Sequence, residues 1–388
     1  MREYLLEIAL RKAGYIMDKV KETGLEEVLE KAAKLWVKHE PQGAEPSSFG
    51  AVDGSNNSLE FKGLTLYAVL GYGITRESSV KEYFVGDIDV LYTGDTSEHV
   101  RLLREIAEMK TAYLASNVDL LMIDGSITSL LIRPRPLTDN VALSTAIREA
   151  LEIDPDIFDT LWSDLKKQLS SCGNILVDPY ISRRLSHEHK LYSERKFYLP
   201  VLLEYIEKLL TIRLLLDKMV ARKKKLGLVF ISKTSRSRHY FREEEAKRPI
   251  PSDILIFTYA TREPGYSSPL IPEFEKGLPR EGPLKSMVHD FFEEFEYVVS
   301  YIRFEADAPL LKFEIPVYKG MYSGGDDLKE IIVHLIESIY PLTVDGYPYP
   351  LIEADKSSKI TRDDLVNIAQ IIGFLPRLTG REVLVEWL

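Results

Sequence analysis

Between residues 48 and 124 the chain sets out three strand-like runs, one helix and a fourth strand, and this order admits few folds. The runs lie at 48–53, 63–73 and 81–91, the helix starts at Thr96-Ser97 and continues to about Ala115, and the fourth strand occupies 118–124. Three closely spaced strands form an antiparallel meander. The intervening helix lets the fourth strand return parallel to the first. Both of these neighbours end on the same tripeptide, Asp53-Gly54-Ser55 and Asp124-Gly125-Ser126, so two carboxylates are expected side by side at one sheet edge.

Carboxylates about 4–6 Å apart repel one another, and a divalent cation is the natural way to keep both ionised at neutral pH. A single Asp-Gly is a common turn dipeptide, and either copy alone would read as a strand-to-loop cap. The repeated context, apolar strand then Asp-Gly-Ser, favours a metal site. The strand order is that of the ribonuclease H-like fold, an α/β fold built here on a mixed sheet with a helical insertion and peripheral helices.

The rest of the chain arranges itself around that core. Residues 1–47 read as N-terminal helices, with apolar positions from Leu5 to Val20 at helical spacing and a second helix from Leu25 to about Lys38. The core is expected at 48–133 and 226–388, split by a mostly helical insertion at 134–225. In the second part Leu226–Ser232 is a buried strand, 297–304 and 310–318 form a hairpin, and a final helix runs from Leu351 to Phe374.

With 45% hydrophobic and 28% charged residues the chain has the composition of a soluble globular protein. The most apolar window, Val201 to Val220, contains Glu204, Glu207, Lys208, Arg213 and Asp217, and is expected to be an amphipathic helix rather than a membrane span. One cysteine, Cys172, excludes an internal disulfide, and the start shows no signal peptide; both point to the cytoplasm. A net charge of −10 argues against global attraction to nucleic acid, leaving local basic patches at Arg222–Lys225 and at Lys233, Arg236 and Arg238. These are either a solvated face or a phosphate-contacting groove. His187 and His189 lack a second pair of zinc ligands elsewhere, and Cys172 lacks the partners of a nucleophile.

Two further places carry carboxylates. In the helix ending near Ala115, Glu105 and Glu108 flank the core stripe of Leu102, Ile106, Met109 and Tyr113; either can face the aspartates, and Glu108, at mid-helix, is favoured. Near the C-terminus, Gly346-Tyr-Pro-Tyr-Pro-Leu-Ile-Glu-Ala-Asp355 puts acidic residues into the first turns of a helix. They would meet the helix dipole there, or Asp355 would close the cluster with Asp53 and Asp124.

Taken together, Asp53-Gly-Ser after a strand, a helix glutamate, Asp124-Gly-Ser, the Ile231-Ser-Lys233 strand end and Tyr347-Pro-x-Pro-Leu-Ile-Glu-Ala resemble the NurA nucleases of archaea over residues 48–374. The resemblance implies a homodimer that cleaves DNA with Mn²⁺, Mg²⁺ being the alternative, as a 5'-3' exonuclease and single-strand endonuclease. It also implies partnership with the hexameric HerA translocase in DNA end resection and double-strand break repair. Carried over by motif, the site is Asp53, Glu108, Asp124 and Tyr347. Eight residues after the tyrosine the family usually has histidine, where this chain has Asp355; an aspartate is still a good oxygen ligand. The rival functions are a catalytically silent DNA-end clamp of the same fold and an actin-like ATPase, whose threonine- and glycine-rich phosphate loops are missing from both Asp-Gly copies.

Overall fold

The computed structural model describes residues 7–8, 10–15, 25–44, 46–61, 64–91, 96–192, 198–220, 227–246, 249–322 and 324–373. Most of the first N-terminal helix, the basic run at 222–225 and Phe374 therefore lie outside the described residues.

A mixed ten-stranded sheet carries the chain. Its strands are β1 (Trp36–Lys38), β2 (Phe49–Phe61), β3 (Leu64–Arg76), β4 (Val80–Leu91), β5 (Leu120–Asp124), β6 (Ile175–Val177), β7 (Leu228–Ser232), β8 (Gly265–Ser267), β9 (Phe295–Arg303) and β10 (Leu311–Tyr318). They lie in the order β1-β8-β9-β10-β7-β5-β2-β3-β4-β6. As the sequence order requires, β2, β3 and β4 form an antiparallel meander and β5 returns parallel to β2. The hairpin of β9 and β10 is also as expected.

One expectation fails in a useful way. The first strand does not stop at Asp53 but continues to Phe61, because β3 offers an unbroken antiparallel edge from Arg76 to Leu64, with Asp53 opposite Tyr72. What stops is the pairing on the other side, where the last parallel pair is Val52 with Ile123. Asp53 and Asp124 are thus the next residues in register on adjacent strands.

Because side chains alternate across a strand, β5 feeds two cores at once. Leu121 and Ile123 pack with Val52, Leu102, Met109 and Ile206 under the helices α1 (Thr96–Ala115) and α2 (Tyr198–Met219). Leu120 and Met122 pack with Ala51, Ile332, Leu335 and Leu351 on the opposite face, beneath Gly325–Ile339 and α3 (Tyr349–Ser358).

Helix α2 is not the amphipathic helix its charges predict. It is buried nearly throughout, and Glu204, Glu207 and Lys208 are among its most enclosed side chains. They survive there because α1 supplies partners: His99 meets Glu204 at 2.8 Å, Lys208 meets Glu105 at 2.9 Å and Lys110 meets Glu207 at 2.6 Å. Buried charges persist when paired, so a helix ringed by charge can still sit at the centre. No described helix is long and apolar enough to cross a membrane.

Two other boundaries differ from expectation. The second N-terminal helix ends at Leu35, and Trp36–Lys38 instead pairs with β8 at the sheet edge. The C-terminal helix is broken into α3 and α4 (Arg362–Ile371), since Thr361 caps α4 reciprocally with Asp364 and holds an extended backbone between them.

Candidate active site

The two Asp-Gly-Ser copies use glycine for different reasons. At Gly54 a β-carbon would stand 3.0 Å from Glu108 Cβ and Oε2, and at its cross-strand partner Gly71 it would stand 2.6 Å from the Ala107 carbonyl. Their bare backbones let α1 settle directly on the sheet and bring Glu108 to Asp53. At Gly125 there is open space, but φ is +132°, a conformation that side chains disfavour. That bend turns the chain away immediately after Asp124.

The Asp53 carboxylate accepts from the Gly54 N–H at 2.8 Å and the Ser358 hydroxyl at 3.2 Å. Burial, followed by the charge of Asp124, pushes its pKa up to about 6, and Asp355 adds to the rise. Asp124 accepts from the Tyr347 hydroxyl at 3.2 Å and lies 3.3 Å from Lys233 Nζ. The same ammonium sits 4.4 Å from the centre of the Tyr347 ring. Burial and the neighbouring Asp124 carboxylate hold the tyrosine proton far more firmly than usual.

The two helix glutamates separate clearly. Glu105 is saturated by Lys208 and by Arg101 at 2.6 Å, which override burial and keep its pKa below the ordinary carboxylate value. Glu108 is equally buried, but its cation, Arg104, is 3.6 Å away. Burial drives its pKa well above the usual value; Arg104 opposes this, and Asp53 and Asp124 reinforce it. Asp355 lies exposed on α3, close enough for its charge to act on both Asp53 and Tyr347.

Of the basic residues, Lys233 stands at the site and Arg236 is exposed nearby on the chain. Arg238 is occupied elsewhere, donating to the Ile250 carbonyl at 3.0 Å and pairing with Glu245 at 2.9 Å. His187 packs against Tyr192, and His189 lies 3.3 Å from Asp154, away from any cluster of ligands.

Asp53, Glu108 and Asp124 repel one another and Asp355 adds its charge at Asp53; hard oxygens of this kind suit Mn²⁺ or Mg²⁺. Asp53, Glu108 and Asp124 each lean on a partner of their own, however, and among the described residues no three His, Cys, Asp or Glu side chains converge as a metal cage.

Sequence reasoning missed the support beneath Asp124. Glu314, wholly buried on β10, accepts from the Ser126 hydroxyl at 2.8 Å and from the Thr128 N–H at 3.2 Å and hydroxyl at 2.8 Å, and it pairs with Lys312. Ser232 donates to the Gly125 carbonyl at 2.6 Å from the other side. The signal was present: Lys312 and Glu314, two apart in an apolar run, share one strand face. For Ser358 and Arg104 the sequence offers no comparable sign.

Comparison with known proteins places these features in context. The NurA domain matches residues 47–360. The chain is 26% identical to the probable DNA double-strand break repair nuclease NurA of Methanocaldococcus jannaschii, over 96% of this chain and 89% of that protein. It is 23% identical to the DNA double-strand break repair nuclease NurA of Sulfolobus acidocaldarius, over 94% and 91%. The crystal structure of the NurA nuclease from Sulfolobus solfataricus shares its fold with a TM-score of 0.65 at 19% identity, covering 96% of each chain. A crystal structure of NurA with manganese gives a TM-score of 0.69 at 16% identity, covering 95% of this chain and 99% of that one.

Proposed function

The chain belongs to the NurA family, and from that premise we propose that it is a metal-dependent deoxyribonuclease acting in double-strand break repair. The observation that carries the reading is the register of β2 and β5, which sets Asp53 beside Asp124; burial, followed by the Asp124 charge, raises the Asp53 pKa to about 6. In this reading the sheet and its flanking helices are a ribonuclease H-like core, and residues 134–225 are an insertion in it. The relatives named DNA double-strand break repair nuclease support DNA as substrate, and the manganese-containing relative supports Mn²⁺, with Mg²⁺ as the alternative.

Asp53, Glu108, Asp124 and Asp355 would hold the cation or pair of cations. When bound, such an ion supplies Lewis acidity toward a phosphoryl oxygen and an activated water. The chain's own groups do the rest. Tyr347, whose proton is firmly held, remains a hydrogen-bond donor at neutral pH and orients Asp124 or an incoming phosphate oxygen. Lys233 and Arg236 bind the DNA backbone by charge, giving affinity without sequence choice. Arg238 was expected to join them; its ties to Ile250 and Glu245 suit it better to shaping the loop that presents Arg236. The 5'-3' exonuclease and single-strand endonuclease activities, the homodimer and the HerA-type translocase partner complete the proposal.

The test is cleavage of labelled single-stranded DNA in Mn²⁺ by the wild type, Asp53→Ala and Asp124→Ala. Activity in the wild type and its loss in both variants, with folding intact, is the expected result. A silent DNA-end clamp would leave even the wild type inactive, and near-normal cleavage by either variant would remove the carboxylates from the mechanism.

A further inference from the structure

The partners of the three inner carboxylates are not alike. Asp53 is held by a hydroxyl and a backbone N–H, and Glu108 by Arg104 at 3.6 Å. Asp124 is held by Lys233 at 3.3 Å, and this lysine side chain is 44% exposed. It directly follows Ser232, the last residue of β7, whose hydroxyl donates to the Gly125 carbonyl. The stem can swing into solvent without disturbing the core.

Resting on the metal-dependent reading above, we infer that Lys233 holds the place of the metal on Asp124 and is exchanged for it, so that cation and DNA each tighten the binding of the other. The reasoning is electrostatic. An ammonium at 3.3 Å from Asp124 Oδ2 occupies the oxygen that a divalent ion also needs, and two cations on one carboxylate oxygen repel. The ion therefore displaces the ammonium. Once released, the lysine has lost its counter-charge in a cluster just neutralised by metal, and a DNA phosphate arriving at the strand end is its next partner. Read in reverse, a phosphate that draws Lys233 away uncovers Asp124 for the ion. Such coupling is reciprocal by thermodynamic necessity.

The experiment is calorimetric titration of Mn²⁺ into the full chain, without DNA, for the wild type, Lys233→Met and Lys233→Arg, with thermal melts to verify folding. Loss of a half-exposed ion pair and its ring contact is expected to tighten Mn²⁺ binding by roughly three- to tenfold in Lys233→Met, while Lys233→Arg stays near the wild type. A phosphorothioate oligonucleotide that resists hydrolysis supplies the second arm. Mn²⁺ should strengthen its binding to the wild type by a larger factor than to Lys233→Met. Equal or weaker Mn²⁺ binding by Lys233→Met, or the same factor in both proteins, overturns the exchange while leaving the carboxylate site standing. Absence of Mn²⁺ binding from all three proteins overturns both.

Discussion

Replacing Asp53 by asparagine should make the metal-free protein more stable and less active at once. The carboxylate is driven from an ordinary pKa of 3.8 to about 6, burial being the largest cause and Asp124 the next. For an acid this sign means that the folded state holds its proton where the unfolded chain has released it. Stability is therefore undiminished below about pH 4, falls as the pH rises toward 6, and stays reduced above. Each pH unit between the two values is worth about 1.4 kcal/mol, which sets a ceiling of about 3 kcal/mol. Because Asp53 retains some contact with water, a discount to about 1–2 kcal/mol is appropriate. Asparagine keeps the shape and the acceptor oxygen for Gly54 and Ser358 but carries no charge. In the presence of a chelator, Asp53→Asn should melt above the wild type at pH 8, and this advantage should shrink steadily toward pH 4.5. Saturating Mn²⁺ should then reverse the order, since an ion that binds only the native wild type stabilises it alone. The assay is differential scanning calorimetry at four pH values, with and without Mn²⁺. An advantage that does not change with pH, or an asparagine variant that melts below the wild type at pH 8 in chelator, would show that the cost of a buried charge at Asp53 is not what the fold carries.

The other expectations concern single groups. Asp355→Asn should sharply raise the Mn²⁺ concentration needed for cleavage if the carboxylate is a ligand; a small loss of stability, about 0.3–1 kcal/mol, with an unmoved Mn²⁺ titration would make it a helix-dipole residue only. Arg236→Gln should weaken DNA binding for all sequences alike and lower the salt slope by about one, whereas Arg238→Gln should leave the slope alone and lower the melting temperature; the reverse pattern would exchange their roles. Glu314→Leu orphans a buried ammonium and should destabilise by about 3–5 kcal/mol, most of it recovered in Glu314→Leu/Lys312→Met. A double variant as unstable as the single one in thermal melts would refute that account.

How much of this was readable beforehand depends on the range of the interaction. The meander, the parallel return of β5 and the adjacency of Asp53 and Asp124 follow from strand order and connection rules, which act locally along the chain. Glu108 over Glu105 was favoured by position alone; the feature that distinguishes the two, Lys208 paired with Glu105, comes from a residue far along the chain on another helix. The same distance hid the true nature of α2, because charges that look solvent-facing in sequence can be met by partners that no periodicity reveals. The end of β2 was misplaced for a related reason: Asp-Gly-Ser reads as a terminator, yet β3 continues to pair with it. Arg238 was grouped with Lys233 by spacing, and tertiary contacts to Ile250 and Glu245 separate them.

The ion pairs between α1 and α2 also act as a code. Along α1 the buried groups read His99, Glu105, Lys110, and facing them are Glu204, Lys208 and Glu207. Sliding one helix past the other by a turn, about 5.4 Å, would part these charges from their partners at several kcal/mol for each one orphaned. Leucines in their place could grip as tightly, but adjacent turns of a leucine stripe are nearly interchangeable. The charged seam distinguishes one alignment from the next, and so groups buried between two helices fix where along the sheet Glu108 comes to rest.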